Sequence, residues 1–540
     1  LKHEDVWKQY TKGLQFNVQQ ELNDTVELNE KFFIGKQWDG VTSNGLPTPI
    51  FNFLKRVVLF KVASITSDNL KMNASPLRLE PSNITDIINT EFAALFEQNK
   101  VVSLIREYVR NAAVDCDGCT YTYWDPNVEN GQAVKGAIVT EIIENTRVFF
   151  GNGNDRRVQR QPYIIIQARE MIDAVKDRAE ENGIPKAEYE AITADTDDKN
   201  VRPENQTDDK VTVLLKLWKN KKTGTIWGYE CTKSGTVKKE WDLGIRLYPI
   251  TWLNWDYVQD NYHGQAMITG LIPNQIFINK LFAMSMISLM TTAYPKVVYD
   301  KTRVKSWDNR VGAAIAVNGG DVSNVAKIID PAAISPQVSQ IIKLVIDETL
   351  ESLGITQAAL GAGTSYNTSA ILLNQKASST PDEITKQNLY QSIEDLGRIY
   401  IEFMAQNYGT RKLVPDDAMT KEAAAFVDKP TEFDFSKLKT ANVSVQLDVG
   451  ASSYWSEISS MQTLDNLLLQ GQLQLIDYLE RVPKGHIIKQ QALIDKLKGQ
   501  QAMTPVNGSG GAVALPGDST GSAPPPSPTM GNVQSANRTA

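Results

Sequence analysis

PNQIFINKLFAMSMISLMTTA, residues 273–293, is the stretch whose reading decides the fold. Pro273 suits the first turn of a helix, where its missing N–H has no intrahelical partner to lose. The residues after it include no glycine, no second proline and one charge, Lys280. The spacing therefore predicts one helix about 30 Å long, at 1.5 Å per residue. The run Gly264–Ala293 is also long enough to span a bilayer. However, Lys280 interrupts the run, and Asn274, Gln275 and Asn279 bring amides that hydrocarbon does not satisfy. The reading is a buried or subunit-facing helix.

On its C-terminal side lies a compact insert, residues 294–330: a strand PKVVYD, a basic stretch KTRVKSWDNR, a small-residue strand GAAIAVNGG and a third strand VAKIID. Helix signals then return together. Ser335 is placed as an N-cap with Pro336 just behind it, Val338, Ile341, Ile342, Val345 and Leu353 share a broad face, and Gly354 is the stop. Two long helices thus flank a small α/β insert. Next comes AALGAGTSYNTSAILLNQK (358–376); from Ser352 to Gln375 there is no Asp, Glu, Lys or Arg, although 22% of the chain is charged. A long helix follows from about Ser369 to Asn407. Inside it, Thr380-Pro381-Asp382-Glu383 reads as a capping box with proline at the first position, which means a break or kink.

On the N-terminal side, residues 3–35 read as one amphipathic helix stopped at Gly35, residues 51–65 as a second, and residues 85–116 as one or two more. Strands are expected at CTYTYWD (119–125), AIVTEII and RVFFG. The apolar run PYIIIQA precedes a helix over REMIDAVKDRAEEN (169–182). An acidic solvated loop is expected over 183–210, then a β-hairpin built from VTVLLKLWKN, the turn KKTG and TIWGYECT. VSVQLDV (443–449) alternates as a half-buried strand does. Three short helical units follow over 456–499, and from Gln500 onward a Gly/Ser/Pro tail has little to bury.

With 540 residues the chain exceeds one compact core, so two to four domains or an elongated subunit are expected. The net charge of −7 argues against a general nucleic-acid binder, whose affinity comes from neutralising phosphates. It does not exclude a surface that nucleic acid slides past. Three cysteines make no disulfide framework and fit a reducing cytoplasmic setting, and residues 1–35 do not resemble a signal peptide.

Motifs for chemistry are sparse. Cys116 and Cys119 form a lone CxxC, while His3, His263 and His486 are isolated in sequence; a zinc site needs about four ligands. The CxxC reads as small residues packed in a turn and strand. GAGTSYNTS lacks the lysine of a phosphate-binding loop. No G-x-S-x-G elbow is present, the match GDSTG (517–521) falling in the Gly/Ser/Pro tail, and no H-E-x-x-H occurs. The carboxylate pairs Asp347-Glu348 and Glu394-Asp395 are adjacent on helices and diverge. No cofactor is expected, although a carboxylate-only site assembled from distant residues stays open.

The order of parts resembles a tailed-bacteriophage (Caudoviricetes) portal protein, the head-to-tail connector ring family. Helix 273–293, the insert, helix 336–353, an uncharged loop and a long helix broken at Pro381 resemble its stem, clip, stem, tunnel loop and kinked helix. KFFIGKQWDG with IFNFLKRVVLFKVAS resembles the N-terminal portion of such portals, RVFFGNGNDRRVQRQPYIIIQAREM the wing, and SEISSMQTLDNLLLQGQLQLIDYLERVPKGHIIKQQALIDKL the crown. The resemblance covers residues 5–499.

What the resemblance implies is an α+β, mainly helical portal fold around an axial tunnel. Its parts are an N-terminal wing at 1–262, a first stem helix at 263–293, a clip at 294–334 and a second stem helix at 335–354. A tunnel loop at 355–368, a long kinked helix at 369–408, a wing return strand at 409–455, crown helices at 456–499 and a disordered tail at 500–540 follow. It further implies a non-enzymatic homo-oligomeric ring, usually a dodecamer, at the capsid portal vertex, assembled in the host cytoplasm. Double-stranded DNA passes through the ring, and no membrane is involved. The implied partners are the large terminase subunit, scaffold and major capsid protein, and head-completion adaptors.

Gly361, Gly363, Thr364, Ser365, Tyr366, Asn367, Thr368 and Lys376 are then the tunnel residues, and Lys280 the stem cation. Lys301, Arg303, Lys305 and Arg310 face the terminase or DNA at the clip. Arg156, Arg157 and Arg160, in the implied wing, are expected to pair with acidic neighbours between subunits. Another structural virion protein, or a metal-dependent nuclease with scattered carboxylates, are the alternative readings.

Overall fold

The computed structural model describes residues 1–43, 45–68, 70–76, 82–195, 209–293, 297–308, 314–319, 321–328, 337–355, 382–413, 431–441, 443–449, 461, 464–482, 493, 494, 496 and 497. The chain divides into two units, Leu1–Ser456 and Glu457–Ala540. Both helix and strand contribute to the first, as the sequence predicts.

The chain opens with α1 (His3–Gln19) and α2 (Leu22–Ile34), which together replace the single helix expected over 3–35. Glu21 between them adopts φ 51°, the left-handed region that ends a helix. The reason is a division of cores. Val6 and Tyr10 of α1 pack with Phe149, Ile165, Leu214 and Tyr229, whereas Leu22 and Phe32 of α2 enter the main core, so the chain must turn between them. Gly35 is the stop of α2, with φ 92° and with the Lys36 N–H returning to the Lys31 carbonyl at 2.8 Å.

Helix α3 (Phe53–Ile65) is capped by the Asn52 side chain, which accepts from the Lys55 N–H. After it come β1 (Leu70–Pro76), α4 (Ser82–Gln98) and α5 (Val101–Asp115). The strands β2 (Asp117–Asp125) and β3 (Ala137–Ile142) form a sheet with a distant third member introduced below. β4 (Val148–Phe150) and β5 (Tyr163–Met171) begin a second sheet. α6 (Ile172–Glu181) starts later than the expected 169, because Arg169–Met171 still pair with Thr212–Lys210 in the sheet. A single turn, α7 (Lys186–Tyr189), precedes β6 (Lys210–Lys219), β7 (Ile226–Cys231) and β8 (Thr236–Asp242).

β6 and β7 are the expected hairpin, and β4-β5-β6-β7-β8 is an antiparallel five-stranded meander. Alternation along its strands divides the side chains between faces. Ile164, Ile166 and Leu217 enter the main core, while Ile165, Leu214 and Cys231 meet α1. β9 (Ile250–Asn254) completes the three-stranded sheet β3-β2-β9.

Helix α8 (Ile272–Ala293) is the opening stretch of the sequence. It starts at Ile272, after a 3₁₀ turn at Thr269–Leu271, so residues 263–271 are not part of a long helix. In the insert, β10 (Val297–Tyr299) pairs antiparallel with β11 (Ala326–Ile328). No strand forms at 314–319, the described part of the expected GAAIAVNGG strand; Asn318 instead donates to the Arg303 carbonyl at 2.9 Å.

α9 (Gln337–Ser352) ends at Gly354, φ 70°, where the Ile355 N–H bonds the Leu350 carbonyl at 2.9 Å. Ser335, Pro336, Thr380 and Pro381 lie outside the described residues, and so does the expected kink. α10 (Glu383–Asn407) begins beside Asp382, which makes no side-chain cap. Its carboxylate binds Lys61 of α3 at 2.5 Å.

β12 (Thr410–Leu413) and β13 (Thr431–Asp434) form a hairpin, and β14 (Val443–Val449) pairs antiparallel with β1 along all seven residues. The segment expected to be one returning strand therefore holds three. In the second unit, α11 (Leu475–Arg481) and a helical stretch at 464–469 are joined by Tyr478, whose hydroxyl donates to Asp465 at 2.6 Å. The segment 500–540 lies outside the described residues.

Candidate functional site

α8 is built in two halves. In the first, Ile272, Gln275, Ile278, Asn279 and Leu281 are buried. The amides that argued against a membrane span are what anchor it. Gln275 donates to the Phe51 carbonyl at 2.7 Å and to Asn279 Oδ1 at 3.0 Å, and accepts from the Leu54 N–H at 3.4 Å; Asn279 donates to Gln37 Oε1 at 2.6 Å. Each buried amide thus keeps its partners, as burial demands.

In the second half Met284, Leu289 and Met290 are 58, 64 and 52% exposed, with no charged residue after Lys280. α9 lies beside α8, tied by Asn274 Nδ2 to Thr349 Oγ1 at 3.0 Å, and leaves Ile341 and Leu344 open. Among the described residues Thr269–Ala293 is the one helical run long and apolar enough to cross a membrane. Its first half nevertheless belongs to a protein core, and its second half is exposed in the single chain.

Beyond α8, the insert folds on a small scale. Asp300 accepts from the Thr302 hydroxyl at 2.6 Å and from its N–H at 2.9 Å, and these bonds hold its carboxyl below the usual range. In this turn the Val304 N–H bonds the Asp300 carbonyl at 2.9 Å, and the Val304 and Val325 side chains are both buried. Tyr299 and Trp307 stack with ring centroids 5.3 Å apart. Arg303 is spent inside this unit: its guanidinium donates to the carbonyls of Gly319 at 2.7 Å and Asp321 at 3.0 Å. Lys301 and Lys305 are exposed and make no ion pair among the described residues, and Lys280 is in the same position on α8. Arg310 lies outside the described residues. So do Gly361, Gly363, Thr364, Ser365, Tyr366, Asn367, Thr368 and Lys376. In the first unit, Arg156, Arg157 and Arg160 are exposed, and Arg156 lies over the Tyr257 ring at 4.4 Å.

Groups with catalytic chemistry are arranged as structure. Asp117 and His263 are fully buried and 2.7 Å apart. Both oxygens of Asp117 are already occupied, Oδ1 by Asn254 Nδ2 and the Gly264 N–H at 2.7 Å, Oδ2 by His263 and by Asn145 Nδ2 at 3.2 Å. His263 Nε2 faces Asn17 Oδ1 at 3.2 Å, and the Tyr262 ring packs on the imidazole at 3.9 Å. This knot joins α1, β2 and the segment after β9; no local pattern marks it, because its members are up to 246 residues apart.

Cys116 and Cys119 are buried, free thiols whose pKa values burial pushes up, the wrong direction for a nucleophile. They match the expectation of small residues packed in a turn and strand. Among the described residues no three His, Cys, Asp or Glu side chains gather as a metal needs. Between the two sheets, Tyr121, Trp124, Trp241, Arg178 and Glu230 line a cleft of about 910 Å³. Burial raises the Glu230 pKa against the opposing effect of Arg178, 2.6 Å away.

A small strand-bearing insert thus lies between α8 and α9, with α10 after it and a sheet-rich segment before it. The family model for the phage P22-like portal protein matches residues 137–415, from β3 to just past β12 and more than half of the chain. The chain belongs to that family, a structural and non-enzymatic one whose members form capsid-associated rings. No curated protein matches the chain.

Proposed function

We propose that this chain is the subunit of a dodecameric ring at one capsid vertex, a passive channel through which double-stranded DNA is packaged and later ejected. The observation that carries the reading is the bare second half of α8. Met284, Leu289 and Met290, with Ile341 and Leu344 of α9, present an apolar surface that a lone subunit leaves in water. Burying each such side chain contributes about 1.5–3 kcal/mol, so a neighbouring copy is the natural cover.

The insert at the end of this helix pair is the surface for the large terminase subunit, with Lys301 and Lys305 as its exposed cations and Arg303 as its internal brace. The uncharged residues 355–368 face the DNA. Scaffold, major capsid protein and head-completion adaptors are the remaining partners, met in the host cytoplasm and then in the virion.

Negative-stain imaging of the purified full-length protein tests this. A closed ring with a through-channel is expected; monomers alone, or sheet-like assemblies, would overturn it.

A further inference from the structure

The start of α10 is held to the end of α3 and the turn behind it by two ion pairs of opposite sense. Lys61 Nζ lies 2.5 Å from Asp382 Oδ1, and the Ser64 hydroxyl donates to Asp382 Oδ2 at 3.1 Å. One helical turn further along α10, Lys386 Nζ lies 3.2 Å from Asp68 Oδ2, which also accepts from the Tyr390 hydroxyl. Little solvent reaches them: the side chains of Lys61, Asp382, Asp68 and Lys386 are 4, 6, 4 and 12% exposed.

Buried ion pairs are a weak source of net stability, because desolvation offsets most of the attraction. The order of the charges supplies a different reason for them. Along α10 the sequence is acid at 382 and base at 386; along the facing segment it is base at 61 and acid at 68. A slide of α10 by one turn, about 5.4 Å, in one direction brings Lys386 to Lys61 and leaves Asp68 facing the uncharged Tyr390. The opposite slide brings Asp382 to Asp68. Either slip buries like charges against each other.

We propose that this crossed pair sets the axial register of α10 against α3, with Lys61, Asp68, Asp382 and Lys386 as positioning residues. The other end of α3 is where Phe51 and Leu54 hold Gln275 of α8. α3 therefore fixes both helices that bracket residues 294–381. One-turn ratchets between packed helices are a known form of switching, and charges that penalise both slips remove the alternatives. The inference does not depend on the portal reading.

The test keeps both ion pairs and removes the penalties. In D68K/K386E, Lys61 still faces Asp382 and position 68 still faces an opposite charge at 386. Both slips now bring opposite charges together. K61D/D382K makes the same exchange at the first pair and serves as the second variant. Amide hydrogen exchange of the full-length protein, read by mass spectrometry over residues 383–390, is the measurement.

Wild type is expected to exchange as one slow population. Each swapped variant is expected to show two populations, the faster one exchanging roughly tenfold or more faster than wild type. Charges that merely hold α10 down predict one population in the swaps, since both ion pairs persist and the lost Ser64 or Tyr390 bond speeds exchange without splitting it. One population in either variant overturns the proposal.

Discussion

Asp115, at the last turn of α5, carries a carboxylate whose neighbourhood works against its charge. It is mostly buried at the negative end of a helix dipole, and Glu30 lies close by; burial first and Glu30 second raise its pKa, with Arg110 at 3.1 Å opposing them. The unfolded chain releases this proton near the ordinary aspartate value of about 3.9. The folded chain holds it to higher pH. This contribution to stability is therefore fully present below about pH 4 and is lost as pH rises through the raised value, beyond which it is flat. Asp115→Asn, which still offers Arg110 an acceptor, should remove that loss. Urea midpoints at about pH 5 and about pH 8.5 should show the variant gaining on wild type by about 1 kcal/mol or more as pH rises. Parallel curves would show that the carboxyl titrates at an ordinary value.

At the scale of elements, α8 gathers what the sequence makes plain and what it hides. Its length, its amides and its single lysine are visible in residues 273–293, and the bare face of its second half follows from them. M284E/L289E should abolish ring formation, seen by light scattering, yet leave the unfolding midpoint of the subunit within about 0.5 kcal/mol, as usual for exposed positions. Rings formed by this variant would place the interface elsewhere.

Local signals also suffice for the β6–β7 hairpin, the alternation of β14, and the stops at Gly35 and Gly354. They do not suffice where a distant partner makes the element. β1 is a strand because β14, more than 360 residues away, pairs with it, and the helix expected from Arg169 starts late because β6 claims those residues first. The break at Glu21 likewise follows from two separate cores and not from a breaker residue. The candidate site divides in the same way. Lys301 and Lys305 make no ion pair among the described residues, but Arg303 is drawn inward by carbonyls some 16 residues on, and no sequence pattern links Lys61 to Asp382.

At the scale of the whole molecule, a single uncharged stretch acquires its meaning from repetition. Placed once, a lysine on a phosphate adds modest, salt-dependent affinity; placed in every subunit of a ring, it becomes a trap for a polyanion that has to move. The absence of Asp, Glu, Lys and Arg from Ser352 to Gln375 suits a channel that touches DNA through weak hydrogen bonds only. T364K/N367K should therefore leave ring assembly intact in negative-stain images while slowing or stalling DNA packaging. Because the added affinity comes from released counterions, the defect should shrink as salt rises, with a slope that grows with the number of phosphates gripped. T364Q/N367Q changes side-chain size at the same positions without charge, and it should package at the wild-type rate. Normal packaging by the lysine variant would show that these residues do not face the DNA. A defect shared equally by the glutamine variant would instead trace it to shape.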